Sequence, residues 1–425
     1  MVAILAFSVL LALLLINVPI SFALLSSAIS AILYSGVHIA TLAQRMFYGL
    51  DTFTLLSVPL FMLAGNLMSN GGVTRDLLNF SRAFVGHLRG GLAYVNIVAS
   101  MIFAGISGTA AADSASLGAI LIPAMKDEGY DTDFTVAVTA TSSTIGIMIP
   151  PSIPMIMYGV ASGTSIGSLF VGGAIPGVLV GFSLMAVTYV MSKKRNYPID
   201  VVMTWKERLI TIVKGIPALF TVVIIIGGII SGLFTATEAA CIACIYAAFL
   251  GFFYYKELKI KDLPRLFRDT AVSTGVVALM IASASALGWI FAQQQIPAKL
   301  TAALLSVSDN RIVILLMINL LLLFVGTWLD MTPAILLFTP ILLPVATAIG
   351  LSPVHFGVMM VVNLAIGLYT PPVGVCLFLT CGIAKCSISD VIKGFIPFFV
   401  ATLLVQLVII FVPAVSTWLP GLVYG

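Results

Sequence analysis

The chain has 425 residues, of which 60% are hydrophobic and only 8% are charged, and its formal net charge is +4. Soluble globular proteins are about half apolar and about one quarter charged, so this composition excludes a soluble fold. The apolar residues form continuous runs and do not alternate as barrel strands do, which predicts an all-α polytopic protein surrounded by membrane lipid. No run of basic residues indicates a nucleic-acid partner.

Ten apolar segments are predicted to cross the membrane. The first has no positively charged residue ahead of it and leads directly into the second, so we interpret it as a membrane helix and not as a signal peptide. The ten predicted spans are 2–19, 21–42, 47–68, 134–160, 167–192, 211–233, 237–255, 270–293, 354–380 and 394–418.

Two further apolar stretches, 92–125 and 312–346, are too long for one membrane helix. Small or polar residues interrupt each stretch in the middle, which favours a pair of helices that enters the membrane and returns as a re-entrant hairpin. Such a tip is tolerated only where it is buried in protein or lines a wet cavity. A short amphipathic arm precedes each hairpin, at 70–90 and 294–307.

The basic residues support hairpins that return to their starting side. With that topology, 17 of the 20 Lys and Arg residues lie on one side, and only Arg45, Lys299 and Arg311 lie on the other. The positive-inside rule then predicts that both termini are periplasmic in a bacterial inner membrane. If either hairpin were a single crossing, every later loop would change sides and the asymmetry would be lost.

The two hairpin regions match each other at a fixed offset of 221 residues. Since five predicted spans separate them and five is odd, the second copy is inverted relative to the first. Inverted repeats with discontinuous helices are the architecture of secondary transporters. The coinciding residues are Gly105 and Gly326, Pro123 and Pro344, Gly129 and Gly350, Gly146 and Gly367, Pro150 and Pro371, and Pro151 and Pro372.

The repeat divides the chain into five predicted segments. Each repeat contains a hairpin followed by a helix that is broken at a Pro-Pro pair. The segments are scaffold helices with the first arm (1–90), the first transport repeat (91–165), further scaffold helices with the second arm (166–307), the second transport repeat (308–385) and a C-terminal membrane helix (386–425).

Acidic residues within apolar sequence are functional candidates, because a charge is costly in hydrocarbon. Asp113 and Asp330 follow the two hairpin tips and are predicted to face one central cavity, with a helix cap as the alternative for each. Glu238, which follows Thr235, is predicted to cap a helix. The hydroxyl-rich stretch 139–144 either lines a polar pathway or joins neighbouring helices.

Five sequence strings resemble the large membrane subunit of TRAP transporters, the tripartite ATP-independent periplasmic carriers of organic acids. The resemblance covers essentially the whole chain. It departs from the family pattern at Leu351 and Ser352, where Ile-Asp is usual. The strings are GISGTAAADSA (105–115), IPPSI (149–153), FTATEAA (234–240), PILLP (340–344) and TPPVG (370–374).

The resemblance implies a sodium-driven importer of a carboxylate such as sialic acid or a C4-dicarboxylate. It also implies two partners, a small four-helix membrane subunit and a periplasmic substrate-binding protein. An elevator-type mechanism is implied too, in which the two hairpin repeats move as one domain against a scaffold. The two amphipathic arms are suited to link such a moving domain to its frame.

With sodium implied, the broken backbone predicts two Na⁺ sites, because tips and breaks expose carbonyl oxygens that suit a hard cation. Each site is predicted between the tip and the Pro-Pro break of one repeat. The first site comprises Ser107, Thr109, Gly146, Ile149 and Pro151, and the second comprises Gly326, Trp328, Asp330, Thr332, Gly367, Thr370 and Pro372. The substrate carboxylate is predicted beside Asp113, Ser142, Pro150, Asp330 and Pro371.

Three alternatives stand beside this interpretation. A channel needs a continuous pore, against which the inverted repeat argues. An intramembrane enzyme needs an embedded catalytic group, and no histidine lies within the hairpin or Pro-Pro motifs, so neither an enzyme nor an organic cofactor is expected. A stand-alone sodium–carboxylate carrier with paired hairpins is the closest alternative.

Overall fold

The computed structural model describes residues 1–16, 18–199, 203–308 and 310–425, and at Ala104, Ile106 and Ser107 it describes the backbone alone. Within these residues the fold is entirely helical. The α-helices are α1 (Val2–Leu15), α2 (Ile20–Tyr34), α3 (Ala40–Leu50), α4 (Ser57–Asn70), α5 (Val73–Val85), α6 (Gly91–Ser107), α7 (Ala110–Asp127), α8 (Thr132–Ser142), α9 (Ile153–Ser162), α10 (Ile166–Lys194), α11 (Trp205–Ile230), α12 (Ala236–Phe249), α13 (Leu263–Gln293), α14 (Ile296–Val307), α15 (Arg311–Trp328), α16 (Met331–Ala348), α17 (Pro353–Gly367), α18 (Val375–Ala384), α19 (Ile388–Phe411) and α20 (Ala414–Tyr424). Single 3₁₀ turns occupy Phe53–Leu56, Ser143–Ile147 and Ile260–Asp262, and a π turn follows α12 at Leu250–Tyr254.

Eight helical segments among the described residues are long and apolar enough to cross a membrane. They account for six of the ten predicted spans and for both helices of the second hairpin. The remaining predicted spans are shorter helices, as at α1 and α2, or helices broken in the middle. The eight segments are Phe53–Asn70, Ile166–Lys194, Trp205–Ile230, Ala236–Tyr254, Ile260–Gln293, Arg311–Trp328, Met331–Ala348 and Ile388–Phe411.

The predicted boundaries of two spans are wrong. The helix predicted at 21–42 ends at Tyr34, and α3 forms a separate helix that carries Arg45 in otherwise apolar sequence. The helix predicted at 394–418 ends at Phe411, because Pro413 has no N–H group with which to continue the helical ladder. The last part of that prediction belongs to α20.

Each predicted hairpin is a pair of helices joined by a very short connection. Gly108, with φ of +64°, ends α6 in the left-handed region that favours glycine, and the Thr109 side chain accepts a hydrogen bond from the Ala112 N–H to cap α7. In the second pair, Leu329 and Asp330 alone separate α15 from α16. At each tip one helix therefore ends and another begins, whereas a single membrane span would need one continuous helix.

Both ends of the first hairpin lie beside the same loop. Arg89, just before α6, forms a β-bridge with Ile199. Beyond α7, Asp131 and Asp133 form ion pairs with Arg195, at 2.8 and 2.6 Å. Because these contacts converge on the segment after α10, α6 begins and α7 ends at the same end of the molecule.

Arg195 and Asp133 form a two-pronged ion pair at that end. The two terminal nitrogens of the Arg195 guanidinium, Nη1 and Nη2, donate to the two carboxylate oxygens of Asp133 at 2.6 and 2.9 Å. Burial alone would raise the pKa of Asp133, but the hydrogen bonds and charge of Arg195 hold this pKa below its ordinary value. The pair therefore stays charged near neutral pH and fixes the start of α8 to the end of α10.

The helices of the two repeats correspond one to one at the offset of 221 residues. Helices α6 to α9 map in order onto α15 to α18, and most boundaries agree within one residue. Their packing is reciprocal, since α7 contacts α18 and α16 contacts α9. Such an exchange is the arrangement expected of repeats related by a two-fold axis.

The other helices form two packing groups. Helices α1 to α4, α12 and α13 pack on one another, and α11 joins them through α12 and the arm α5. Helix α10 lies in the predicted scaffold segment 166–307, but it packs against α17, α19 and α20. It is therefore associated with a broken helix of the second repeat.

Glu238 caps α12 as predicted. Its carboxylate accepts a hydrogen bond from the Thr235 N–H, and the Thr235 hydroxyl accepts one from the Glu238 N–H. This reciprocal capping box satisfies two donors at the helix start that would otherwise lack partners.

The topology can be tested at two symmetry-related positions, Asp127 and Ala348, which end α7 and α16 and are both exposed. In intact cells, a membrane-impermeant maleimide should label Ala348→Cys, whereas Asp127→Cys should react only after the membrane is permeabilised. The unsubstituted chain gives the background from native cysteines. Equal labelling of both variants from one side would contradict the inverted repeat.

Candidate functional site

The two broken helices share a common construction. Helix α8 passes through a 3₁₀ turn to Pro150 and Pro151, and α17 ends four residues before Pro371. Both Pro-Pro peptide bonds are cis. Proline supplies no N–H group, so neither α8 nor α17 can continue as a regular helix, and α9 and α18 begin anew beyond the breaks.

Each hairpin tip contacts the break of its own repeat through a backbone hydrogen bond. In the first repeat the Ile153 N–H donates to the Gly108 carbonyl at 3.3 Å. In the second repeat the Val373 N–H donates to the Thr327 carbonyl at 3.1 Å. The two pairs occupy almost equivalent positions at the 221-residue offset, so the repeats use the same tip-to-break contact.

The glycines that match between the repeats have different neighbours. A Cβ atom on Gly367 would lie 2.4 Å from the carbonyl carbon and oxygen of Gly326, so α15 and α17 pack backbone against backbone. In the first repeat, a Cβ on Gly105 would lie 2.5 Å from the side chain of Val222 on α11. In the second repeat, Gly326 and Gly367 therefore bring the tip and the break into direct backbone contact. In the first repeat, Gly105 leaves room for the neighbouring helix α11.

The predicted first cation site is enclosed. Gly146 and Pro151 are buried, and Thr109 and Ile149 are partly buried; Pro150, which is predicted to contact the substrate, is buried beside them. The side chain of Ser107, also predicted here, lies outside the described part of the chain. This site is therefore shielded from solvent on most sides.

The predicted second cation site is more open. Trp328 is 44% exposed and Pro372 is exposed as well; Pro371, which is predicted to contact the substrate, is also exposed. The remaining residues predicted here are buried or partly buried, namely Gly326, Asp330, Thr332, Gly367 and Thr370. Matched sequence positions therefore give two sites of different accessibility.

Helices of both repeats meet around the Cys376 thiol in the first turn of α18. This thiol interacts with the hydroxyls of Ser114 and Ser143, and it lies within electrostatic range of Asp113 and Asp330. The two hydroxyls are hydrogen-bonded to each other at 2.6 Å. The acidic residues that follow the two tips are thus brought towards a common centre.

Sequence reasoning missed this centre. Cys376 is not among the predicted site residues, and Ser114 and Ser143 enter the sequence analysis only as members of the stretches 105–115 and 139–144. The available signal was position, because Cys376 follows the second Pro-Pro pair by four residues and therefore belongs to the new half-helix. Asp330 occupies the N-cap position of α16, whereas Asp113 is fully buried in the first turn of α7.

The hydroxyl-rich stretch 139–144 joins helices. The Asn96 side-chain amide on α6 donates to the Thr139 hydroxyl at 2.7 Å, and the Ser142 hydroxyl donates to the Asn96 side-chain oxygen at 3.2 Å. Ser142 is fully buried between α6 and α8. Its contact with the substrate carboxylate stays a prediction.

The second repeat has a matching polar contact. Asn363, the counterpart of Ser142, donates to the Asn319 side-chain oxygen at 2.9 Å. Gln406 on α19 donates to the same oxygen at 2.7 Å. Each hairpin is therefore bonded by buried polar side chains to the broken helix of its own repeat.

The donors available at the tips and breaks are carbonyl and hydroxyl oxygens, together with the carboxylate of Asp330. Among the described residues, no group of three His, Cys, Asp or Glu side chains is placed to hold a metal ion. Oxygen ligands suit hard cations such as Na⁺, whereas transition metals prefer imidazole or thiolate. The residues present thus fit the predicted sodium ions.

Two adjoining cavities of about 460 and 260 Å³ lie away from this centre. The two cavities share Thr52 and Val160. One wall is formed by α3, α13 and the end of α11, and the opposite wall is formed by α9 and α16. None of the predicted cation or substrate residues lines either cavity. The cavities therefore lie at a boundary, here called the seam, between the packing group of α1 to α4 and α11 to α13 and the helices of the two repeats.

Comparison with known proteins finds relatives over nearly the full length. Residues 7–415 match the family described as "Tripartite ATP-independent periplasmic transporter, DctM component". The sialic acid TRAP transporter large permease protein SiaM of Vibrio cholerae is 42% identical, over 98% of this chain and 97% of that protein. The C4-dicarboxylate TRAP transporter large permease protein DctM of the same organism is 36% identical, over 99% and 98%.

A solved structure shows a similar fold. The YdaH transporter of Alcanivorax borkumensis superposes with a TM-score of 0.66, covering 89% of this chain and 88% of its own. Its sequence identity is 15%, so the likeness concerns the fold alone.

Replacement of Gly367 by alanine tests the tip-to-break packing of the second repeat. The added methyl group would meet the backbone of Gly326, so we expect overpacking of about 1–3 kcal/mol and the loss of most transport. Gly382→Ala is the matched control, because nothing lies within 4 Å of its Cβ position. Thermal unfolding and uptake should separate the variants, and wild-type behaviour of Gly367→Ala would refute the close contact.

Proposed function

Since the chain belongs to the DctM-component family of TRAP transporters, in which it is a large membrane subunit, we propose that it imports an organic acid anion together with sodium. The observation that carries this proposal is the matched contact between each tip and its break. Each junction brings a hairpin tip next to a helix break, and backbone oxygens at the two junctions would serve as the ligands that a carrier coupled to more than one Na⁺ needs. The bound cations would compensate the charge of the anion.

The substrate proposed is sialic acid or a C4-dicarboxylate. The supporting relatives are the sialic acid and C4-dicarboxylate permeases, at 42% and 36% identity. The carboxylate would lie near the Pro-Pro breaks, between Asp113 and Asp330. Both carboxyl groups interact electrostatically with the Cys376 thiol on α18, and α18 packs against α7 of the other repeat, which supports a substrate position between the two repeats.

An elevator movement is proposed for the transport step. The moving part would contain both repeats with α10, α19 and α20, and the frame would contain α1 to α4 and α11 to α13. This division is supported by packing, since α10 contacts α17, α19 and α20. The arms α5 and α14 contact α6 and α16 of the hairpins, so they would act as the links.

The partners proposed are a small membrane subunit and a periplasmic substrate-binding protein, as the word tripartite in the family description indicates. The location proposed is the bacterial inner membrane with both termini in the periplasm. The distribution of basic residues supports this orientation. The ion pairs of Arg195 lie at the end assigned to the cytoplasm.

Uptake into reconstituted vesicles tests the function. The chain, with the small subunit and binding protein from its own genome, should accumulate sialic acid or succinate when an inward Na⁺ gradient is applied. We expect a sigmoidal dependence on sodium, because two ions bind.

Three controls define the outcomes of this experiment. Vesicles without the binding protein should be inactive, and full activity without it would favour the stand-alone carrier. A proton gradient without sodium should drive no uptake, and uptake under that condition would overturn sodium coupling. Equilibration without accumulation would indicate a channel.

A further inference from the structure

The cavities at the seam have a lining rich in hydroxyl groups. Six of the residues around the larger cavity carry a hydroxyl, and Thr52 reaches both cavities. Among the residues that the structure describes, no charged side chain lines either cavity. The larger one, at about 460 Å³, falls within the roughly 300–1,000 Å³ usual for small-molecule sites. The six are Thr52, Thr54, Thr164, Ser165, Thr235 and Tyr424.

Arg45 lies next to the smaller cavity, against two aromatic residues of its lining. The Arg45 guanidinium lies 4.6 Å from the ring centroid of Trp289 and 6.0 Å from that of Tyr48, and both rings line this cavity. The Arg45 carbonyl accepts a hydrogen bond from Ser285, which lines it too. Among the described residues Arg45 forms no ion pair.

An unpaired guanidinium beside an aromatic ring is suited to a carboxylate. Arginine binds a carboxylate with two parallel hydrogen bonds, and these charge-assisted bonds are stronger than neutral ones. The indole face offers an apolar surface for a sugar ring, and the hydroxyl lining offers partners for a polyol. Arg45 supplies one positive charge, and the linings supply no second one for another carboxylate.

We propose that Arg45, Trp289 and the hydroxyl-lined cavities form a receiving site for a polyhydroxylated monocarboxylate, such as a sugar acid, ahead of the central site. The proposal rests on the proposed function, because it takes the cavities to face the periplasm. Residues of α9 and α16 form one wall and residues of α3 and α13 the other. A movement of the repeats would therefore reshape the site and release the anion towards the centre.

Binding at this site can be measured without transport, through Trp289 fluorescence. In the full chain carrying Trp205→Phe, Trp328→Phe and Trp418→Phe, Trp289 is the single tryptophan. Titration with N-acetylneuraminate, a hydroxylated monoanion, should change its emission saturably. Succinate, a dianion without hydroxyls, and N-acetylmannosamine, a neutral sugar, should bind at least about tenfold more weakly.

Substitutions at position 45 separate binding from packing. Arg45→Met keeps an apolar stem but removes the charge, and it should weaken N-acetylneuraminate binding by about tenfold or more. Arg45→Lys keeps the positive charge and should therefore retain part of the affinity. If the stacked guanidinium had only a structural role, lysine would not preserve binding. Arg311→Met, another basic residue assigned to the same side, should bind like the parent.

The outcomes distinguish this site from the proposed function. No saturable response, an unchanged affinity in Arg45→Met, or equal binding of succinate would overturn the receiving site, even if sodium-driven uptake succeeds. A response that requires Arg45 would support the site, even if vesicles show no sodium-driven uptake. Size-exclusion profiles of the variants should match the parent, which shows that they remain folded.

Discussion

The rest of this structure depends on the need to satisfy a broken backbone inside a membrane. Peptide groups without partners are costly in hydrocarbon, so an interrupted helix must find its hydrogen bonds within the protein. Here the interruptions come in pairs, and the Gly108 and Thr327 carbonyls each accept a bond from the break of the same repeat. Each repeat thus satisfies the backbone at its own interruption, and the proposed cation sites lie beside these two contacts.

Equivalent sequence positions need not give equivalent sites. Gly326 and Gly367 bring two backbones into contact, whereas Gly105 makes room for Val222 of a neighbouring helix. The first break is buried and the second is exposed. The two proposed cation sites would therefore differ in access, and the more open one would exchange ions more readily.

Much of the fold could be predicted because the important signals are local. Glycine and proline residues marked the hairpin tips and the helix breaks, and the offset of 221 residues matched the tip and break of one repeat to those of the other. Thr235 and Glu238 identified the N-terminal cap of α12. The separation of α3 and the break at Pro413 were missed, because both stretches are apolar throughout most of their length. Hydropathy alone does not mark where such a stretch changes direction.

The convergence at Cys376 could not be predicted, because it depends on how distant helices pack. Cys376 and Ser114 come from different repeats and are 262 positions apart in the chain. The packing of α10 on α19 and α20 has the same origin. Sequence periodicity identifies a membrane helix, but it does not identify which neighbours an apolar helix contacts on each side.

The most direct measurement of the central claim is equilibrium binding of radioactive sodium to the purified chain. If each tip-to-break junction holds one cation, saturation should reach two Na⁺ per chain. Binding should persist when sodium is offered without substrate, since backbone oxygens supply most of the ligands. Saturation at one ion per chain, or no saturable binding, would contradict the account.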